Sequence, residues 1–432
     1  MKEIGRILPI PRAYKVYIQM AIIKFFAGTN LVKPKNRFGL EFFSSEFSAG
    51  KQSLTIIDGQ SLNGPDFYRG IGRYTLKFTR ALATSYPHRN FLILISNVRM
   101  DEFTEALISE VSCSEIQNLK ITIVDIFENS SITSLDLAEK TLNSAVKKLN
   151  CEFLIIPSFF SDNREVFPID PPKTSQQVGI LHDLIPLSFQ KEYLASARSK
   201  KIYYKNLQRL RNSNHILSVS HFSAKDYTNH FGINENLIVI GGASIFEKSF
   251  PEKGVFENRY GVLCIAGSGV SKNIESFVRA YCKLPRELRG KHPLCLTGNL
   301  NYKQLIIFQL VARLSRSTIN FRGFVTDTEL EQIYRMSRVL VIPSLAEGLA
   351  LPVYEMWSNG GVVLGGRNTA VHETINCDQA VFDVENFLDF EKLLSKTLTD
   401  NDYWSYLQAE GQMTMSSKTW SKVAERVSGI FN

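Results

Sequence analysis

The sequence predicts an α/β protein made of two doubly wound domains, each built on a parallel sheet. Short apolar runs alternate with helical patterns, and this alternation lapses once, around residues 246–260. The length of 432 residues also exceeds the usual size of a single domain. Strands that alternate with helices form parallel sheets through right-handed crossovers. We therefore expect ligands at the carboxyl ends of strands, in a cleft that the two domains face.

Each domain has its own series of predicted strands. The first series is Leu54–Ile57, Phe91–Ile95, Ile121–Val124, Phe153–Ile156, Val178–Leu181 and Ile216–Val219. The second series is Val262–Ala266, Pro293–Thr297, Ile319–Arg322, Val339–Ile342, Gly361–Leu364 and Ala380–Phe382. A long basic helix is predicted from Tyr193 to Leu210. The predicted parts of the chain are an N-terminal extension (1–50), a first domain (51–246), a linker (247–260), a second domain (261–405) and C-terminal helices (406–432), which can cross back to the first domain.

The composition is ordinary for a globular protein, with 44% hydrophobic and 21% charged residues. Six scattered cysteines without a Cys-x-x-Cys pair favour a reduced cytoplasmic protein without structural zinc. The net charge of +8 is not gathered in charge runs, so we expect no nucleic-acid partner.

The first 40 residues hold eight Lys and Arg residues against the single acid Glu3. Apolar residues recur there at the spacing of one helix face, namely Tyr14, Tyr17, Ile18, Ala21, Ile22 and Phe25. Such a basic amphipathic helix can lie in a membrane interface, and docking on the protein's own surface is an equal alternative. Lys24 interrupts the apolar run well short of the ~20 residues that span a bilayer. We expect a cytoplasmic protein, with residues 1–40 as the candidate peripheral contact with the inner membrane.

Two carboxylates lie on one strand–loop–helix unit of the second domain. Glu347 follows the predicted strand Val339–Ile342, and Glu355 lies about one turn inside a helix that starts near Leu351. Carboxylates accept paired hydroxyl hydrogens, which the diols of ribose and pyranoses present. Backbone amides at the start of such a helix attract phosphate oxygens. The alternative is an ordinary helix start with acids placed favourably near the helix dipole.

The stretch 320–373 resembles the second domain of the retaining GT-B glycosyltransferases of family 4, and weaker matches extend over roughly residues 54–410. Family members read roughly F-x-G-x-V-[ST]-D-x-x-L-x-x-x-Y, then P-S-x-x-E-G-F-G-L-P-x-x-E-A-M, then G-x-P-V-V. The matching residues are Phe321, Gly323, Val325, Thr326, Asp327, Leu330, Tyr334, Pro343, Ser344, Glu347, Gly348, Leu351, Pro352, Glu355, Met356 and Val363. The resemblance implies a GT-B architecture, in which two Rossmann-like domains face each other across a cleft.

The same resemblance implies a role for each donor-side residue. Glu355 would hold the ribose hydroxyls and Glu347 the transferred sugar. The diphosphate would lie near the amides of the residues that follow Glu347, which are Gly348, Leu349, Ala350 and Leu351. In the loop after strand Val262–Ala266, Lys272 and Asn273 match the positions that contact the pyrophosphate. Gly267 or Ser268 stands in that loop where many members have an arginine, and Ser268 is a candidate donor-binding residue. A dinucleotide-binding role is disfavoured, because Lys272 replaces the third glycine of G-x-G-x-x-G.

Three departures from the family pattern concern the donor. Ala350 replaces the second glycine of Gly-Phe-Gly and narrows the space beside the sugar. Val362 replaces the usual proline, and the arginine before Lys272 is missing. These changes put the identity of the donor in question more than activity. They also leave an alternative, a catalytically weak or inactive sugar-nucleotide-binding or scaffold protein.

Two motifs of the first domain resemble those of a bacterial subset of the family: Gly70-Ile71-Gly72-Arg73-Tyr74 and His182-Asp183-Leu184-Ile185-Pro186. Glycine at a helix start suits phosphate or a close substrate, so Gly70 and Gly72 are candidate donor-binding residues. A simple tight strand-to-helix turn is the alternative. His182 matches a histidine that the resemblance places beside the transferred sugar, where a neutral imidazole can donate to the sugar 6-hydroxyl. Ser220 and Ser223 are predicted to cap a helix.

The subset often serves O-antigen-type pathways. It implies transfer of a hexose, with mannose favoured, from GDP-mannose or, second, a UDP-sugar, to a glycan or lipid-linked acceptor. It also implies retention of configuration without a metal or cofactor. His182, Glu347 and Lys272 are then the catalytic candidates. The only Asp-x-Asp string, Asp400-Asn401-Asp402, is predicted to cap a helix instead of holding a metal.

Overall fold

The computed structural model describes residues 53–62, 70–96, 115–124, 134–160, 169–244, 259–367 and 369–431, with Leu107, Val111 and Phe246. The predicted N-terminal extension and residues 247–258 of the predicted linker lie outside this part. The described chain divides into two compact units. The N-terminal unit comprises residues 53–244 and 418–431, and the C-terminal unit comprises residues 246–417.

The N-terminal unit contains a seven-stranded parallel sheet among its described residues. Its strands are β1 (Leu54–Asp58), β2 (Asn90–Ser96), β3 (Leu119–Val124), β4 (Phe153–Ile156), β5 (Gln176–Leu181), β6 (His215–Ser218) and β7 (Leu237–Val239). They lie in the order β3-β2-β1-β4-β5-β6-β7. The order reverses between β1 and β4, which is the position where open α/β sheets bind ligands.

Helices cover both faces of this sheet, which explains why its strands read as unbroken apolar runs. They are α1 (Gly70–Ser85), α2 (Ser134–Leu149), α3 (Ile185–Ser188), α4 (Gln190–Tyr193), α5 (Ala197–Arg211) and α6 (His221–Phe231). The predicted basic helix starts four residues late, at Ala197, because the Ser196 side chain caps it by accepting from the Ser199 amide. Ile56, Leu92 and Leu154 have no exposed surface and mark the core.

The C-terminal unit contains a six-stranded parallel sheet. Its strands are β8 (Tyr260–Gly267), β9 (Leu294–Asn299), β10 (Ile319–Gly323), β11 (Ser337–Ile342), β12 (Val362–Gly366) and β13 (Val381–Phe382), in the order β10-β9-β8-β11-β12-β13. Its helices are α7 (Ile274–Lys283), α8 (Arg286–Lys291), α9 (Tyr302–Ser315), α10 (Asp327–Met336), α11 (Leu351–Ser358), α12 (Ala370–Ile375), α13 (Phe387–Thr399) and α14 (Asn401–Ser416). The switch point of this sheet lies between β8 and β11.

The described end of the predicted linker belongs to the C-terminal unit. Tyr260 begins β8, and Arg259 is buried. The Arg259 guanidinium donates to the carbonyl oxygens of Tyr334 at 2.8 Å and Ser337 at 3.0 Å. These bonds satisfy a buried charge and join the start of the sheet to the end of α10. Any linker therefore ends before Arg259, earlier than the sequence pattern predicts.

The last residues of the chain belong to the N-terminal unit. Helices α15 (Trp420–Glu425) and α16 (Ser428–Phe431) lie there, and α15 packs against α1. Arg426 donates to the Ile240 carbonyl oxygen at 2.6 Å, and Arg89 donates to that of Phe431 at 2.6 Å. Helix α14 stays in the C-terminal unit, so the return starts at residue 418 and not at 406. No helix in the described part of the chain is long and apolar enough to cross a membrane.

Two predicted helix caps are confirmed. Ser220 precedes α6 and accepts from the Ser223 amide at 3.0 Å, and Asp400 precedes α14 and accepts from the Tyr403 amide at 2.9 Å. Asp400 therefore has a structural role at a helix start. Across the described residues, no group of three or more His, Cys, Asp or Glu side chains is placed to hold a metal ion. Metal independence itself stays a prediction.

Candidate functional site

Two loops meet at the switch point of the C-terminal sheet. One follows β8 and spans 268–273, and the other follows β11 and spans 343–350. Lys272 Nζ lies 2.6 Å from Glu347 Oε1, and the Leu345 amide donates to the Ser271 carbonyl oxygen at 2.7 Å. Two residues that are 75 positions apart in sequence thus form one ion pair where a ligand is expected.

The Glu347 carboxylate is oriented by two donors on the same oxygen. Lys272 Nζ and Ser344 Oγ both donate to Oε1, at 2.6 Å and 2.7 Å. Within the described residues, no donor reaches Oε2. The Glu347 side chain is 13% exposed and that of Lys272 is 38% exposed, so both reach the surface of the unit. The arrangement leaves one carboxylate oxygen for a ligand hydroxyl and places a cation beside it.

The amides before α11 divide into two groups. The N–H groups of Leu349 and Ala350 have no acceptor among the described residues, as an anion-binding helix start requires. The Leu351 amide instead donates to the Leu349 carbonyl oxygen at 3.0 Å. The Leu351 N–H therefore already has a partner, and the prediction that it lies near the diphosphate stays a prediction. Gly348 and Ala350 are both buried.

Asn273 and Ser268 differ in what they can offer a ligand. The Asn273 side-chain amide donates to the carbonyl oxygens of Pro343 at 3.2 Å and Val384 at 3.3 Å. Its backbone has a positive φ of 53°, which suits asparagine at the start of α7. Asn273 therefore positions the loop, and its amide hydrogens are already used. Ser268 is exposed on the same loop and accessible to a ligand.

Glu355 lies inside the C-terminal unit and is only 2% exposed. The hydroxyl of Tyr334, at the last position of the first family motif, donates to Glu355 Oε2 at 2.7 Å. A buried carboxylate needs such a donor, since leaving it without one costs several kcal/mol. Tyr334 thus fixes the orientation of Glu355. The prediction that Glu355 holds ribose hydroxyls stays a prediction, because so little of the residue is accessible.

In the N-terminal unit, His182 follows β5 and lies beside the start of α1. Its Nε2 is 2.9 Å from the Pro157 carbonyl oxygen, just beyond β4, and the Tyr74 ring contacts it edge-on with ring centres 5.4 Å apart. The Tyr74 hydroxyl donates to the Gly241 carbonyl oxygen at 2.6 Å. The two motifs of this unit therefore meet in space, since Tyr74 belongs to the glycine motif and His182 begins the other.

The hydrogen bond to Pro157 fixes the chemistry of His182. Burial lowers the pKa of His182 to about 4, although the bond to the Pro157 carbonyl raises it in part, so the imidazole is neutral near pH 7. A carbonyl oxygen only accepts, so the single proton of the neutral ring lies on Nε2. The expectation that His182 donates to a sugar hydroxyl is corrected here. Its other nitrogen, Nδ1, can only accept a hydrogen bond.

Gly70 and Gly72 both lie in the first turn of α1. Gly70 is exposed, and a Cβ added there would meet no atom of the described residues within 4 Å. Gly72 is buried under the same turn. Gly70 therefore remains accessible for phosphate or substrate, whereas Gly72 contributes packing.

Asp58 is a buried carboxyl that motif analysis did not single out. It ends β1, at the switch point of the N-terminal sheet, and is 3% exposed. Burial raises its pKa to about 6, although amides of Gln60 and Ile169 donate to it. Its contacts brace two backbone segments. An acidic residue at the end of an apolar strand is the sequence feature that could have identified Asp58.

Arg367 does not replace the missing family arginine. Its side chain donates to the Val381 carbonyl oxygen at 3.3 Å and lies 3.6 Å from Asp378. Both partners belong to the β13 segment. Arg367 is thus held by the segment that leads into β13.

Known proteins share sequence with this chain. Residues 245–413 match the family described as Glycosyl transferases group 1. The serotype-specific mannosyltransferase WbdA of Escherichia coli is 25% identical over 394 residues, covering 85% of this chain and 46% of that protein. The O-antigen chain mannosyltransferase B of Escherichia coli is 30% identical over 150 residues, covering 34% of this chain and 39% of that protein. The chain thus spans less than half the length of these relatives.

Solved structures share its architecture. A sucrose-phosphate synthase from Thermosynechococcus elongatus has a TM-score of 0.67 at 14% identity and covers 88% of this chain and 98% of that one. WaaG, a glycosyltransferase involved in lipopolysaccharide biosynthesis, has a TM-score of 0.64 at 12% identity and covers 88% and 99%. The two parallel sheets of Rossmann type and the similarity to these structures together identify the fold as GT-B. Within its C-terminal unit, the chain is similar to the group 1 glycosyl transferases over the matched residues.

Proposed function

We propose that this protein is a retaining, metal-independent glycosyltransferase that moves a hexose from a nucleoside-diphosphate sugar to a glycan or lipid-linked acceptor. The observation that carries the proposal is the Lys272–Glu347 ion pair, which joins the two loops at a switch point. Oxygen Oε2 of Glu347 accepts a hydroxyl of the transferred sugar. Lys272 and the amides of Leu349 and Ala350 bind the diphosphate.

The chemistry follows from charge and position. As the bond from the anomeric carbon to the diphosphate breaks, negative charge grows on the leaving phosphate and positive charge grows on the sugar. Lys272 stabilises the negative charge on the phosphate, and Glu347 stabilises the positive charge on the sugar. The acceptor hydroxyl attacks from the face that the diphosphate leaves and passes its proton to a phosphate oxygen. A fixed lysine and two backbone amides supply the positive charge that a metal provides in other transferases.

Mannose and GDP are the favoured sugar and nucleotide. The support is that the relatives WbdA and mannosyltransferase B are named as mannosyltransferases, with mannosyltransferase B named for the O-antigen chain. A UDP-sugar is the second candidate. We propose surface polysaccharide assembly at the cytoplasmic side of a membrane as the setting, with residues 1–40 as one membrane contact.

A thermal-shift screen of sugar nucleotides tests donor binding. We expect one donor, GDP-mannose first, to raise the melting temperature by several degrees at a concentration 100 times its dissociation constant, because ligand binding at that ratio adds about 2.7 kcal/mol of stability. The shift should vanish in Glu355→Ala. Glu410→Ala, at a partly exposed position of α14, is the control and should keep it.

Two outcomes of this screen would count against the proposal. If no sugar nucleotide raised the melting temperature, the proposed donor site would be ruled out. Stabilisation by a nucleotide without release of diphosphate in any acceptor extract would favour the scaffold alternative.

A further inference from the structure

The outer face of α5 carries an exposed row of cations. Arg198, Lys201 and Lys205 are exposed and recur at spacings of three and four residues, so they lie along one face of the helix. We call these three residues the cationic stripe. The opposite face buries Tyr203, Leu207 and Leu210 against the core of the N-terminal unit. The stripe therefore points away from the sheet and runs for about 10 Å along the surface.

Charge on α5 is unusual for this chain. The helix has six Lys and Arg residues and no acid, whereas the whole chain has a net charge of +8 over 432 residues. Together with the first 40 residues, α5 accounts for more positive charge than the chain carries in total. The remaining residues hold more acids than bases, so the positive charge is concentrated and not spread over the surface.

The stripe has no internal counter-charge. In the part of the chain that the structure describes, Arg198, Lys201 and Lys205 form no ion pair, whereas Arg209 of the same helix pairs with Asp170 at 2.9 Å. Aligned like charges repel one another on a helix surface. An external anionic partner would relieve that repulsion.

An aromatic residue on the same helix favours a lipid surface. Tyr204 is 47% exposed on α5 and adjoins Lys205 in the sequence. Aromatic and apolar groups interleaved with cations are typical of helices that lie in a membrane interface.

We propose that the cationic stripe with Tyr204 is a docking surface for a membrane containing anionic phospholipid. This surface is separate from residues 1–40 and does not depend on the identity of the donor. The chain leaves β5 at Leu181, passes through His182 and α3–α4, and returns along α5 to β6. Arg198, at the start of α5, therefore lies toward the carboxyl edge of the sheet, the edge that carries His182.

Co-sedimentation of the full chain with phosphatidylcholine vesicles containing phosphatidylglycerol tests this surface. Each cation near an anionic membrane changes the partition coefficient about fivefold, so Arg198→Gln/Lys201→Gln/Lys205→Gln should lower it roughly 100-fold. The control Lys140→Gln/Lys147→Gln/Lys148→Gln removes the same charge from exposed positions of α2 and should change it little. Binding to pure phosphatidylcholine should be weak for every variant, and high salt should weaken binding of the native protein.

A second variant reports contact directly. In Tyr204→Trp, the added fluorescence should shift to the blue and be quenched by brominated lipid in anionic vesicles. Equal vesicle binding by the stripe variant and the native protein, or an unquenched Trp at position 204, would overturn the proposal. So would a stripe variant that loses affinity for a random oligonucleotide but keeps its affinity for vesicles.

Discussion

Replacing Glu347 by glutamine is expected to lower the turnover number for sugar transfer by about 1000-fold. The side chain keeps its shape, so Ser344 and Lys272 can still reach one oxygen at the positions now 2.7 Å and 2.6 Å away. The negative charge is lost, however, and with it the stabilisation of positive charge that develops on the sugar as the diphosphate leaves. Such a charge acts mainly in the transition state, so the Michaelis constant of the donor should change much less.

Steady-state kinetics of the variant and a matched control decide this prediction. Glu287→Gln removes the same charge from a side chain that is 81% exposed on α8 and pairs only with Lys291 among the described residues. We expect control kinetics within twofold of the native protein. A Glu347→Gln enzyme that turns over at the native rate would show that Glu347 does not act on the reacting sugar.

Replacing Lys272 by methionine is expected to lower the turnover number by about 100-fold. Methionine keeps much of the aliphatic stem that packs near Gly267 but removes the cation. Two effects combine: the leaving diphosphate loses its fixed positive charge, and Glu347 loses a partner at 2.6 Å. Each single variant already breaks the ion pair between Lys272 and Glu347. The double variant with Glu347→Gln should therefore lose less activity than the product of the two single losses.

The control for this variant is Lys291→Met, at a lysine that is 68% exposed on α8. Its kinetics should equal those of the native protein. Strictly multiplicative losses in the Lys272→Met/Glu347→Gln double variant would contradict a functional link between the two loops, even if each single variant were slow.

The sheets were predictable because parallel strands covered on both faces are apolar throughout. Phe153–Ile156 has the predicted bounds, and most of the other strands extend the predicted runs by one or two residues. β7 was not predicted, because Leu237–Val239 is only three residues long and partly exposed. The start of α5 was missed since a serine cap, not hydrophobic periodicity, sets it.

The sequence pattern could not predict which side chains contact each other. Motif matching placed Lys272 and Glu347 in one site, but nothing in a separation of 75 residues predicts that they contact each other. The proton of His182 depends on the carbonyl of Pro157, which lies 25 residues earlier at the end of a neighbouring strand. The Leu351 amide turns to the Leu349 carbonyl through local backbone geometry. Each of these features requires coordinates, because tertiary contacts determine it.

The loops at the C-terminal switch point are proposed to hold a sugar nucleotide for transfer without a metal. The most direct measurement is transfer of radiolabelled mannose from GDP-mannose to a lipid-linked saccharide extract, with and without EDTA. We predict labelled product that retains the anomeric configuration, formed at an unchanged rate in EDTA and about 1000-fold more slowly by Glu347→Gln. Loss of transfer in EDTA that Mg²⁺ or Mn²⁺ restores would contradict metal-independent transfer.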